Sequence, residues 1–95
     1  MKTLGVKFSV VYLSQVVKKD IPSIPSPYKN TIRKAIEEKL TSDPLGYSRP
    51  LKGNLKGLYR LRVGDYRIAF LLDEEAQTVT ITAIKHRGKI YQDLS

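Results

Sequence analysis

The chain has 95 residues, 41% of them hydrophobic, and sets 17 Lys and Arg against 9 Asp and Glu for a formal net charge of +8. That composition excludes a disordered polypeptide and leaves no room for a second domain, so residues 1–95 are expected to form a single domain around one modest core. The absence of cysteine and the single histidine, His86, exclude disulfides, thiolate metal sites and a histidine-built zinc site, and no metal or cofactor is expected.

The positive charge calls for a polyanionic partner. No apolar run approaches the roughly 20 residues of a membrane span. The segment from Val6 to Leu13 is interrupted by Lys7, Ser9 and Tyr12, unlike the core of a signal peptide. The expectation is a cytoplasmic protein without a membrane partner.

In chain order, Gly5 to Leu13 reads as a strand, with Val6, Phe8 and Val10 alternating with Lys7 and Ser9. Gln15 to about Ile21 reads as a short helix after Ser14. Pro22, Pro25 and Pro27 make the next stretch a connector. A second helix starts at Ser26-Pro27, and Tyr28, Ile32, Ala35, Ile36 and Leu40 form its apolar stripe. Asp43-Pro44 closes that helical region, because a residue before proline avoids the helical conformation. Leu45 to Lys56 reads as a loop carrying Arg49, Lys52 and Lys56. Leu58 to Val63, Tyr66 to Leu72 and Thr78 to about Lys85 read as strands. The expected architecture is therefore α+β: two N-terminal helices on one face of a mainly antiparallel four-stranded sheet, in the order β-α-α-β-β-β.

The Gly64-Asp65 connection marks a two-residue hairpin and fixes its register. Tyr59, Leu61, Val63, Tyr66, Ile68 and Phe70 then share the core face, and Arg60, Arg62 and Arg67 share the other, with Arg62 directly opposite Arg67. Like charges facing each other across a ladder destabilise the pair. A visiting anion accounts for a patch that accepts this, and guanidinium suits bidentate phosphate contact. On the third strand, alternation from Val79, Ile81 and Ala83 in the core puts Thr80, Thr82, Ile84 and His86 on the cationic face, with Lys85 and Arg87 near it. His86 is the one side chain that ordinarily titrates near neutrality, and Tyr91 is a phenol within reach.

Asp43-Pro44, the LKG of Leu51 to Gly53, GLYRLRVGDYRI from Gly57 to Ile68 and KHRGKIY from Lys85 to Tyr91 resemble the RelE/ParE toxin superfamily, closest to the RelE-like mRNA interferases of type II toxin–antitoxin systems. The resemblance implies a ribosome-dependent endoribonuclease. It would cut mRNA in the A site without a metal, by attack of a 2′-hydroxyl on the adjacent phosphate. It implies that Arg67 and Arg87 stabilise the scissile phosphate and that Tyr91 stacks on a base and assists proton transfer. Arg60 and Arg62 stand where some RelE proteins carry lysines, and arginine is a poor general base. That moves proton transfer to His86 and Tyr91. Arg49, Lys52, Lys56 and Lys85 join Arg60 and Arg62 as RNA- or phosphate-binding candidates. The implied partners are the ribosome with its mRNA and a cognate acidic antitoxin, in a heteromeric toxin–antitoxin complex. A ParE-like inhibitor of DNA gyrase without nuclease chemistry, or a member that only binds antitoxin, would share the fold.

Overall fold

The structure is a computed structural model and describes residues 7–51 and 57–89. Its centre is a five-stranded sheet built from β1 (Ser9–Tyr12), β2 (Ser48–Pro50), β3 (Leu58–Val63), β4 (Tyr66–Asp73) and β5 (Thr78–His86), in the spatial order β1-β5-β4-β3-β2. The strands from β2 to β5 run as an antiparallel meander, whereas β1 lies parallel to β5, with Val10 beside Val79 and Tyr12 beside Ile81.

This corrects the expected four-stranded sheet in two ways. The proline-containing loop before the hairpin contributes an edge strand, β2, and the sheet is mixed. Pro50 is compatible with β2 because an edge strand has one row of N–H groups that no neighbour requires. The helical layer also differs from two ordinary helices. The main helix, α1, spans Ser26–Ala35 and continues as a wide π-type turn over Ile36–Leu40. The earlier helical segment is a π-type turn of five residues, Val16–Asp20.

The core lies between these helical segments and one face of the sheet. Ile32, Ile36 and Leu40 from the expected stripe pack there with Val16, Ile24, Leu61, Ile68, Phe70, Val79, Ile81 and Ile84. Tyr28, the first residue of that stripe, is instead 53% exposed, and its ring turns toward Tyr66. A smaller apolar cluster of Leu51, Ala69 and Ala83, edged by Leu58, floors the opposite face of the sheet. Among the described residues, no helix is long and apolar enough to cross a membrane.

One buried carboxylate ties the layers together. Asp20, at the end of the first helical turn, is 5% exposed. Its Oδ2 accepts from the backbone N–H of Ile84 at 2.9 Å, and its Oδ1 pairs with Lys85 Nζ at 2.9 Å. Asp20 thus meets β5 beyond the last residue that β1 covers, satisfying a backbone donor that would otherwise be buried without a partner.

Candidate nucleic-acid interface

The hairpin of β3 and β4 has the register its turn dictates: Val63 opposite Tyr66, Arg62 opposite Arg67, Leu61 opposite Ile68, Arg60 opposite Ala69 and Tyr59 opposite Phe70. Gly64 has φ +57, the left-handed backbone that glycine adopts without strain. Arg62 and Arg67 therefore face each other on the side of the sheet away from the helices.

The neighbouring strands widen this patch. Arg49 of β2 lies directly opposite Arg60, and Lys85 of β5 directly opposite Arg67. Cross-strand neighbours share a face, so Arg49, Arg60, Arg62, Arg67 and Lys85 form two adjacent rows of cations above Leu51, Ala69 and Ala83. Arg49 was legible as a basic residue, but its place beside Arg60 depends on β2. Lys85 has a structural engagement as well, through its ion pair with Asp20.

At the end of β5, the backbone N–H of Arg87 donates to the carbonyl of Asp65 at 2.7 Å, so the last strand closes against the hairpin turn. The exposed Arg87 guanidinium stands with Nε 4.0 Å from Asp65 Oδ1. Arg67 folds over the same turn: its Nη1 donates to the carbonyl oxygens of Gly64 at 2.9 Å and Tyr66 at 3.1 Å. The pKa of Arg67 is lowered, first by burial and then by the positive charges of Arg62, Arg60 and Arg87, with Asp65 opposing the shift. These guanidiniums are close enough to disfavour one another's charge. An anion with several acceptor oxygens would relieve that repulsion and satisfy planar donors together.

His86 is not in this patch. A bulge between Ala69 and Phe70 shifts the pairing, so Phe70 faces Ile81 while Ala69 faces Ala83. The extra residue, Thr82, inverts the alternation. Ala83 and Lys85 go to the cationic side, and Ile84 and His86 go to the helix side. This corrects the expected placement of Ile84 and His86 beside the arginines and of Ala83 in the main core. The His86 ring instead meets Tyr66 edge-on at 5.5 Å, and its Nδ1 lies 3.1 Å from the carbonyl oxygen of Arg87. Lys52, Lys56 and Tyr91 lie outside the described residues. The structure thus brings Arg60, Arg62, Arg67 and Arg87 together with Arg49 and Lys85, and separates His86 from them. Sequence reasoning missed Asp20, whose partners lie more than sixty positions along the chain.

Residues 11–91 match the family described as ParE toxin of type II toxin–antitoxin system, parDE. The chain is 28% identical over 82 residues to toxin RelG of Mycobacterium tuberculosis, covering 86% of this chain and 94% of that protein. Among solved structures, the toxin–antitoxin complex RelBE2 of M. tuberculosis superposes with a TM-score of 0.79 at 26% identity, over 90% of this chain and 98% of that one. The RelB–RelE complex of Methanococcus jannaschii gives a TM-score of 0.67 at 26% identity, over 90% and 99%. Isolated Escherichia coli RelE shares the fold, with a TM-score of 0.69 at 16% identity over 92% and 94% of the two chains.

Proposed function

We propose that this chain, which belongs to the ParE toxin family of type II toxin–antitoxin systems within the RelE/ParE superfamily, is a RelE-like endoribonuclease that cuts mRNA in the ribosomal A site. The observation that carries the reading is the convergence of Arg60, Arg62, Arg67 and Arg87 on one side of the hairpin, at the expense of their mutual repulsion. In the proposed step the 2′-oxygen attacks the adjacent phosphorus, and the bond to the 5′-oxygen of the next nucleotide breaks. The products are a cyclic phosphate and a 5′-hydroxyl. Negative charge accumulates on the phosphoryl oxygens at the transition state, where fixed cations lower the barrier most.

Arg67 and Arg87 are assigned to the phosphoryl oxygens, with Arg62 and Arg60 extending the contact to the strand and Arg49 and Lys85 flanking it. Lys52 and Lys56 are assigned to the same backbone-gripping role on sequence grounds. The 2′-hydroxyl must lose a proton and the leaving oxygen must gain one. Tyr91 is the assigned proton-transfer residue. His86, on the opposite side of β5, can join it only by reaching around the strand end. The RelBE2 and RelB–RelE structures are toxin–antitoxin complexes, which supports an antitoxin partner for this chain, and an acidic one suits the net charge of +8.

A translation system containing the protein should stop, and primer extension should find breaks at fixed positions within codons of ribosome-bound mRNA. Intact mRNA would reject the nuclease. The match to ParE toxins favours DNA gyrase as the second target to test. Loss of gyrase supercoiling with translation unaffected would establish that reading instead.

A further inference from the structure

The other side of the hairpin turn holds a half-open pocket that the phosphate cluster does not use. Its walls are Pro25, Pro27 and Tyr28 at the start of α1, and Gly64, Asp65, Tyr66 and His86 at the sheet end. Its volume is about 660 Å³. Tyr66 sits in the middle, with the Tyr28 ring centroid at 6.0 Å and 41° and the His86 ring at 5.5 Å and 83°. These rings are close enough to brace one another, and Tyr28 and His86 keep open faces toward solvent. The aromatic surface persists although Tyr28 stands on the apolar stripe of α1 and is not buried by it.

Gly64 and Asp65 wall this pocket, and the same two residues receive the guanidiniums from the other side. Arg67 Nη1 donates to the Gly64 carbonyl at 2.9 Å, and Arg87 Nε stands 4.0 Å from the Asp65 carboxylate. One turn thus separates a cation cluster suited to phosphate from an aromatic surface suited to a planar ring. Successive residues at the end of β5, His86 and the following Arg87, serve one side each. A single-stranded nucleic acid offers those two chemistries side by side, a charged backbone with a flat base attached to it.

We infer that the Tyr28–Tyr66–His86 pocket is a nucleobase subsite, which stacks an unpaired base of the RNA strand whose phosphate is held by Arg67 and Arg87 across the Gly64-Asp65 turn. This rests on RNA being the substrate and adds where the strand goes after leaving the cations. Stacking on Tyr28 is tolerant of base identity, because each base presents a π face. The subsite therefore sets the position and direction of the strand more than its sequence.

The test uses the full chain and a short, uncleavable 2′-O-methyl oligoribonucleotide, with affinity measured over a range of salt. Tyr28→Ala should weaken binding on the order of tenfold, the effect of losing one base–aromatic stack. The slope of log affinity against log salt should stay that of the parent, since no phosphate contact is removed. Tyr28→Phe should restore affinity. In a set of strands each lacking one base, one position should abolish the difference between parent and Tyr28→Ala. Equal affinities of parent, Tyr28→Ala and His86→Ala would overturn the subsite, as would a Tyr28→Ala loss that persists on every abasic strand. A parent protein that binds no RNA at low salt would overturn the subsite, while the RNA substrate stands or falls by primer extension on ribosome-bound mRNA, which keeps the two failures distinguishable.

Discussion

The two faces of the β3–β4 hairpin are made by the same residues in alternation, yet they obey opposite rules. Toward the helices, Leu61, Ile68 and Phe70 are buried, and each contributes by leaving water. Away from them, Arg62 faces Arg67, and the pair opposes folding slightly until something neutralises it. Ile68 and Arg67 are adjacent in sequence, so a single peptide unit separates a residue buried in the core from one that folds over the hairpin turn among other cations. Strand geometry thus keeps the apolar core apart from the cationic face, and on the proposed function each should be alterable without the other.

The largest expected effect comes from splitting that neighbouring pair. Arg67→Ala should reduce mRNA cleavage by about a hundredfold or more, the usual consequence of removing one preorganised charge at an accumulating anion. Its melting temperature should stay near that of the parent, because a like-charge contact and the two hydrogen bonds to the turn carbonyls are lost together. Ile68→Ala should do the reverse at the level of the fold. Losing a fully buried Ile typically destabilises by about 2–5 kcal/mol, and each kcal/mol lowers the midpoint by roughly 4–8 °C in a domain of this size. Thermal unfolding and primer extension on the same two variants read both quantities. An Arg67→Ala protein that melts as early as Ile68→Ala would show that the faces are not separable.

The hairpin was legible from sequence because a two-residue turn at Gly64-Asp65 leaves one register. The next pairing was not. The turn before β5 is longer, and the bulge opposite Ala69 and Phe70 carries no turn residue to announce it. Both phases of β5 are apolar, with Val79 and Ile81 on one side of the bulge and Ala83 and Ile84 on the other, so alternation alone could not detect the slip. That slip decides where His86 points. β2 was hidden differently: Pro50 looks like an interruption until the segment is known to lie at an edge. The parallel pairing of β1 was beyond reach, since local pattern does not say which distant strand a terminal one will join.

Asp20 links the two faces and gives an intermediate effect. Its carboxylate serves Ile84, which points into the core, and Lys85, which points to the cationic side. Asp20→Ala leaves the Ile84 N–H without its acceptor, at about 1–3 kcal/mol. The Lys85 pair adds less, because that side chain is partly exposed and solvent screens it. Asp20→Asn retains a carbonyl that can accept from Ile84 and should lose less stability than Asp20→Ala. Denaturant titration of both variants tests this order. Equal losses would mean that the charge, and not the backbone acceptor, is what β5 requires.

The smallest effect is confined to alkaline pH and separates the faces by sign. Tyr12 borders the helix-side groove, where burial and then the carboxylate of Glu37 raise its pKa above the ordinary 10.0, with Arg33 opposing them. The folded chain therefore holds this phenol proton to higher pH than the unfolded chain does. The contribution of Tyr12 is fully present below about pH 10 and declines as pH rises from there through the folded-state pKa. Arg67 acts in the opposite sense: its lowered pKa means that the unfolded chain binds the proton more tightly, so its contribution improves with pH in the window just under the ordinary arginine pKa. Tyr12→Phe removes only the first component. Its stability relative to the parent, measured by denaturant titration from about pH 8 to about pH 11, should be constant at the lower end and shift in favour of the variant at the upper end. A constant difference across that range would mean that the phenol ionises alike in the folded and unfolded chains, and that burial on the helix side does not extend to the Tyr12 hydroxyl.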